Sequence, residues 1–352
     1  MRRAALATVV LVLFCGCPRE SQSVSSYADL EAGFPLVAHA VVIEHDATYT
    51  NYAPVGWVVD PTDNTKFLLY VNKFDHDLDA DAKLTVYSGS RSDPYTLTLI
   101  GDALTKGAGG SWDARGIYNS GSQVIAEDNG SITALYGGRT GATDYYRIGR
   151  AESADGRTFT KYAGNPVLSP TSGTYQSAGA GYQSGIFIKT GGAYYFYVTG
   201  VVAVGGPTGT DGQHLTTSPD GVAWTDNGTT VLPLGTLGSY DGTIIEAGQA
   251  IVFGSDIAFL YTGYSGTAWT ISLARASSPV TPVTKSALNP IFSSAGTHVA
   301  CPIVANVSGS RWIMYYQKKD VATNTWDVMA AEFATSSGIN IGGGVLHGVT
   351  LH

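Results

Sequence analysis

The chain has 352 residues, 14% of them charged and 44 of them glycine, with a formal net charge of −8. This acidic balance excludes the basic stripe that nucleic-acid binding requires and leaves room for a neutral partner such as a sugar. Three cysteines, of which Cys15 and Cys17 stand near the start, leave Cys301 alone in the folded part, which excludes a disulfide framework and a cysteine-based metal site.

In chain order, Met1-Arg2-Arg3 is a basic start, Ala4 to Phe14 is apolar, and Cys15-Gly16-Cys17 follows. That run is too short to span a bilayer and has the layout of a secretory signal. The Phe-Cys-Gly-Cys end is similar to a bacterial lipoprotein cleavage box, with Cys17 as the lipidated residue and ordinary secretion as the alternative. Residues 1–17 read as the signal and 18–35 as a polar linker. The expectation is a secreted protein, lipid-anchored to the cell envelope, whose only membrane contact is the anchor at Cys17.

Beyond the linker one strand type recurs. It opens at Ala53 to Val59, Gly121 to Ala126, Gln183 to Ile188, Ala247 to Val252 and Cys301 to Val304. An aromatic-rich second strand follows each time, at Phe67 to Val71, Ile132 to Tyr136, Tyr194 to Thr199, Ile257 to Tyr261 and Trp312 to Tyr316. Ser-x-Asp-Gly turns recur at Ser153 and Ser218, and Asn-Pro exits at Asn165 and Asn289. Short β-rich runs between turn signals make antiparallel sheets, and a fixed period of such sheets makes a radial array. Residues 36–340 therefore predict an all-β fold, a five-bladed β-propeller of four-stranded antiparallel blades, with 341–352 as a tail.

A propeller's site lies where its innermost strands converge, so carboxylates near the strand openings carry the weight. Asp46, Asp113, Asp241 and Glu246 stand there. Acids from different blades meeting in one pit would shift each other's pKa values and divide acid and base roles. Asp113 and Asp241, in Trp-Asp and Tyr-Asp corners, have a second reading as turn caps. Glu246, between Ile245 and Ala247, has no turn to serve. Asp155 and Asp220 read as structural.

The five-unit layout, Trp112-Asp113 leading to Ser120-Gly121-Ser122, the Ser-Ala-Asp-Gly-Arg-Thr-Phe turn and the Asn-Pro-Val-Leu exit resemble the five-bladed propeller glycosidases, meaning the arabinanase, xylosidase, fructosidase and related families. The resemblance covers about Val37 to Phe333. It implies an Asp base or nucleophile from blade one, an orienting Asp from blade two and a Glu general acid from blade three. Asp46 and Asp113 match the first two in blade order. Gln183 stands where the third is due, and Glu246 falls in unit four. The resemblance also implies a blade-five histidine near a channel cation, a place similar to that of His298, with calcium as the candidate ion and no cofactor otherwise required.

The expected chemistry is glycoside hydrolysis of a poly- or oligosaccharide, with Glu246 protonated by its apolar setting, Asp46 ionised and Asp113 tuning. Trp57, Trp112, Tyr118, Tyr182 and Tyr240 are candidates for stacking on sugar rings, and Arg115, Asn119, Gln183, Asp241 and His45 for polar contacts with substrate. The alternative is a glycan-binding propeller without turnover, favoured by Gln183. The acidic run Asp75-x-Asp77-x-Asp79-x-Asp81 lacks the glycine and glutamate of a calcium loop and reads as solvated.

Overall fold

The computed structural model describes residues 30–31, 36–75, 80–119, 121–171, 176, 180–202, 209–308 and 311–333. The signal at 1–17 and the tail at 341–352 lie outside these residues. Among the described residues no helix is long and apolar enough to cross a membrane.

Five blades follow one another, the first and fifth joined into one sheet by a single parallel bridge from Asn51 to Trp326. Blade one is β2 (Asn51–Val59), β3 (Lys66–Phe74), β4 (Lys83–Ser90) and β5 (Asp93–Leu104); blade two is β6 (Val124–Ala126), β7 (Ile132–Gly138), β8 (Arg147–Ser153) and β9 (Thr160–Lys161). Blade three is β10 (Gly181–Thr190), β11 (Ala193–Val202), β12 (Gly209–Ser218) and β13 (Thr225–Leu232); blade four is β14 (Ile244–Phe253), β15 (Asp256–Tyr264), β16 (Trp269–Ala276) and β17 (Thr284–Lys285). Blade five has β18 (Val299–Ser308), β19 (Arg311–Asp320) and β20 (Thr325–Phe333) from the end of the chain, and β1 (Leu36–Ile43) from its start as the outermost strand. The inner strands touch in the cyclic order β2, β6, β10, β14, β18 and back to β2. The ring is closed.

Radial position explains the sequence pattern. The inner strands β2 and β18 are buried along almost their whole length and are therefore continuously apolar. The outermost strand β5 alternates towards solvent. In the Ser-x-Asp-Gly turns, Gly156 and Gly221 take φ of 74° and 73°, and their N–H groups donate to Ser153 and Ser218 Oγ at 2.9 and 2.8 Å. Arg157 beside the first turn donates to the buried Asp60 carboxylate of blade one at 2.7 Å, clasping neighbouring blades.

One boundary differs from the sequence expectation. Leu30, placed in the linker, is 1% exposed and belongs to the core cluster of blades four, five and one, while Glu31 accepts a hydrogen bond from the Ser286 hydroxyl. The linker's end is docked because Leu30 has an apolar surface to cover.

Candidate functional site

The inner strands all begin at one end of the ring, here the upper face. Loops 44–50, 105–119, 233–243 and 286–298 open there, as do the connections from second to third strand in blades two, four and five. Four inner strands carry a register shift just inside this face, at Pro54/Gly56, Tyr182/Ser184, Glu246/Gln249 and Ala300/Ile303. A bulge leaves backbone groups without a ladder partner. The Gly248 carbonyl, freed in this way, accepts the Ser122 N–H across the ring at 2.6 Å, and the Ser122 carbonyl accepts Phe187 N–H at 2.8 Å. These bonds join blades two, three and four at the axis and set a floor beneath the upper face.

Glu246 stands two residues nearer the face than Gly248. Ile245 before it is buried against blade three, as Tyr182 is against blade two and Tyr52 against blade five. By alternation the residues that follow point the other way, so Ala53, Gln183 and Glu246 correspond, and blade five supplies Ala300 after Val299. One of these four is an acid. Among the described residues no hydrogen-bond donor reaches its carboxyl, and burial raises its pKa to about 7. The residue as a whole is only partly buried, while its carboxyl is enclosed by protein.

Asp46 lies on the exposed loop from β1 to β2. Its Oδ1 accepts the N–H groups of Thr48 and Tyr49 at 2.8 Å each, and its Oδ2 accepts the Tyr52 hydroxyl at 2.5 Å. Burial opposes ionisation, but the Tyr52 hydroxyl, the two N–H groups and the charge of Lys73 outweigh it and hold the carboxyl below its ordinary value. The Lys73 ammonium itself sits 4.5 Å from the centre of the Tyr52 ring.

For Asp113 and Asp241 the contacts match the second of the two readings, the turn cap. Asp113 is 2% exposed and accepts Lys161 Nζ at 2.6 Å, the Ser111 hydroxyl at 2.8 Å and the Tyr136 hydroxyl at 3.3 Å. Asp241 repeats this with Lys285 at 2.6 Å, Tyr261 at 3.0 Å and Ser239 at 3.2 Å. Asn165 donates to Tyr136 and Asn289 to Tyr240, each at 3.1 Å, so the Asn-Pro exits belong to the same corners. The capping reading of both aspartates is the one the geometry follows. Their lone pairs are engaged inside one blade.

The candidate aromatic contacts divide. Trp57 is 1% exposed and stacked on Phe67 at 5.6 Å, so it is core, not a sugar platform. Tyr182 is buried likewise, with its hydroxyl on the Asp226 carboxylate. Trp112 stacks on Tyr136 at 5.5 Å over Gly138 and Gly149, where any Cβ would strike its ring. Tyr240 joins the blade-four corner. Tyr118 remains partly exposed between Phe74 and Tyr146.

Among the polar candidates, Asn119 is fully buried and donates to the Leu135 carbonyl at 2.8 Å. His45 binds Asp327 through Nδ1 at 2.7 Å, tying the β1 to β2 loop to blade five. The Arg115 backbone bridges Asp81 and Arg139, and Gln183 is partly exposed. His298 accepts the Trp269 N–H at Nδ1, at 3.1 Å.

Sequence reasoning missed Phe74, Tyr264, Trp269 and Trp326. All four lie at the ends of second strands or the starts of third strands, which antiparallel pairing returns to the upper face. Two clefts open there, one of about 490 Å³ beside Tyr49 and Lys83 and one of about 470 Å³ beside Lys319 and Asp327; Asp46, Asp113 and Glu246 line neither. For a channel cation the donor set does not fit: among the described residues no three His, Cys, Asp or Glu side chains converge, and the His298 Nδ1 lone pair is taken. Of the acidic run, residues 76–79 lie outside the described residues; Asp75 accepts the Thr50 hydroxyl and Asp81 pairs with Lys106.

No protein-family model matches the sequence, and no curated protein matches it. Solved structures do match. One described as a glycoside hydrolase superposes with a TM-score of 0.64 at 14% identity, covering 86% of this chain and 93% of that one. A protein described in a complex with RGII gives 0.63 at 12%, over 90% and 97%. A family 32 β-fructofuranosidase of Bombyx mori gives 0.58 at 15%, over 88% and 66%. In fold, the chain is a five-bladed propeller of the kind that glycoside hydrolases use.

Proposed function

We propose that the protein is a glycoside hydrolase acting on a poly- or oligosaccharide from the upper face, with Glu246 as general acid. The observation that carries this is the Glu246 carboxyl, enclosed on an inner strand without a donor and held protonated up to about pH 7. A carboxyl of that kind donates a proton to a leaving glycosidic oxygen. Asp46, on the same face and kept ionised by Tyr52 and its turn, is the candidate to activate water or attack the anomeric carbon. The folds of the glycoside hydrolases above support the reading.

A second reading, a propeller that binds glycans without cleaving them, is favoured by Ala53 and Gln183 at the inner-strand positions that correspond to Glu246. Hydrolysis of a panel of aryl furanosides and pyranosides separates the two. Turnover lost in both Glu246→Gln and Asp46→Asn, with folding intact, supports the hydrolase; glycan binding with no turnover in the native protein would leave only the second reading.

The amino-terminal pattern supports export and a lipid anchor at Cys17. Labelled palmitate is expected to enter the full-length protein in a bacterial host and to be absent from Cys17→Ser. Equal labelling of the two would remove the anchor.

A further inference from the structure

We propose that His298 is a fixed, neutral hydrogen-bond donor that presents Nε2–H to a hydroxyl oxygen of a bound neutral sugar, and that it does not ligate a metal. The sugar-facing part rests on the function proposed above; the tautomer and the exclusion of metal do not.

The argument starts from one bond. The Trp269 backbone N–H points at His298 Nδ1 across 3.1 Å. A backbone amide only donates, so Nδ1 must offer its lone pair and cannot carry a proton. The single ring proton of the neutral imidazole is therefore on Nε2. A nitrogen bearing a proton has no lone pair for a cation, and ligation through Nε2 would require the proton to move to the very atom that the amide faces. Burial first, and then the charge of Lys319, lower the tendency of the ring to take a second proton. Among the described residues nothing accepts from Nε2.

The ring stands 6.1 Å from that of Trp326, over which Lys319 Nζ also lies at 5.8 Å, and the Trp269 whose backbone it accepts from stacks on Tyr264 at 4.5 Å. Lys319 N–H donates to the His298 carbonyl at 3.0 Å and fixes the backbone. Three residues on, Cys301 N–H donates at 2.9 Å to Thr262 Oγ1, and Thr262 is the cross-strand partner of Glu246. His298 is thus one blade away from the proposed acid, on the same face.

Long-range ¹⁵N–¹H spectra of the full chain, with His298 assigned from the His298→Gln spectrum, test the first part. Nδ1 is expected in the unprotonated range and Nε2 in the protonated range at about pH 8, where the ring is neutral; the reverse tautomer overturns the inference. Calcium chloride added to about 1 mM is expected to leave both nitrogens unmoved, and a shift or broadening confined to His298 overturns it. Arabino-, xylo- and fructo-oligosaccharides are then titrated. The Nε2–H signal should move with the one that binds, and His298→Ala should weaken that binding about tenfold. An unmoved signal in a saturated complex refutes the sugar contact. Were no oligosaccharide to bind the native protein, the proposed function would fall and the sugar contact with it, whereas the tautomer and calcium results would stand.

Discussion

Glu246→Gln is expected to lower turnover by about two to four orders of magnitude while the protein stays folded, because it removes the enclosed carboxyl proposed to supply the proton. The pH dependence follows from the same group. A general acid must be protonated, so kcat/KM should fall as pH rises through about 7, the value to which burial lifts this carboxyl. Stability carries a second signature. Unfolded, Glu246 ionises near 4.5; folded, it keeps its proton to about 7. Between those values the unfolded chain binds fewer protons than the native one, so stability declines with rising pH across that window, by about 3 kcal/mol in total. The glutamine variant cannot ionise and should lack this decline, ending more stable than the native protein above pH 7. Chemical denaturation of both at a series of pH values checks it. Parallel curves would mean that the carboxyl is solvated and unfit for the role assigned to it.

Asp113→Ala is expected to cost about 2 to 3 kcal/mol, and Asp241→Ala a similar amount, since each leaves a lysine ammonium facing the emptied corner. The lysines keep 28% and 22% of their side-chain surface exposed, which places the loss below that of a fully buried pair. Adding Lys161→Met to Asp113→Ala should recover part of the stability, because the uncompensated charge is gone. Melting temperatures and a double-mutant cycle measure this. Turnover per folded molecule should be retained in the Asp113 variants; its loss with unchanged stability would return Asp113 to the tuning role that the blade order of the sequence suggested.

The corners show where sequence reasoning stopped. Trp112-Asp113 and Tyr240-Asp241 were visible as a pair, and so were the two Asn-Pro exits, but the residues that join them were not read. Gly107 to Asp113 and Gly235 to Asp241 share Gly-x-x-Gly-Ser-aromatic-Asp, and Thr-Lys stands four residues ahead of Asn-Pro both times. Taken together, those repeats describe an ion pair inside one blade. The ring itself was legible because burial follows radial order, from the apolar β2 to the alternating β5. Trp57 was misjudged for the opposite reason: in a strand enclosed on both faces, composition does not reveal how deep a residue lies. Glu246 stood out because a carboxyl between apolar neighbours on such a strand has no solvent to turn to.

The strand that completes blade five is the earliest in the chain among the described residues. Leu36 pairs with Phe333 and Val41 with Met329, so nothing in the nascent chain can complement β1 until the last blade has emerged. Four blades can gather around the axis before that moment, yet the molecule stays an open arc with a bare apolar sheet face at each end and with β1 unpaired, able to recruit a strand from another copy. Closure over so long a separation is slow. Chains cut short before β20 would therefore be lost to association between copies, and not merely loosened.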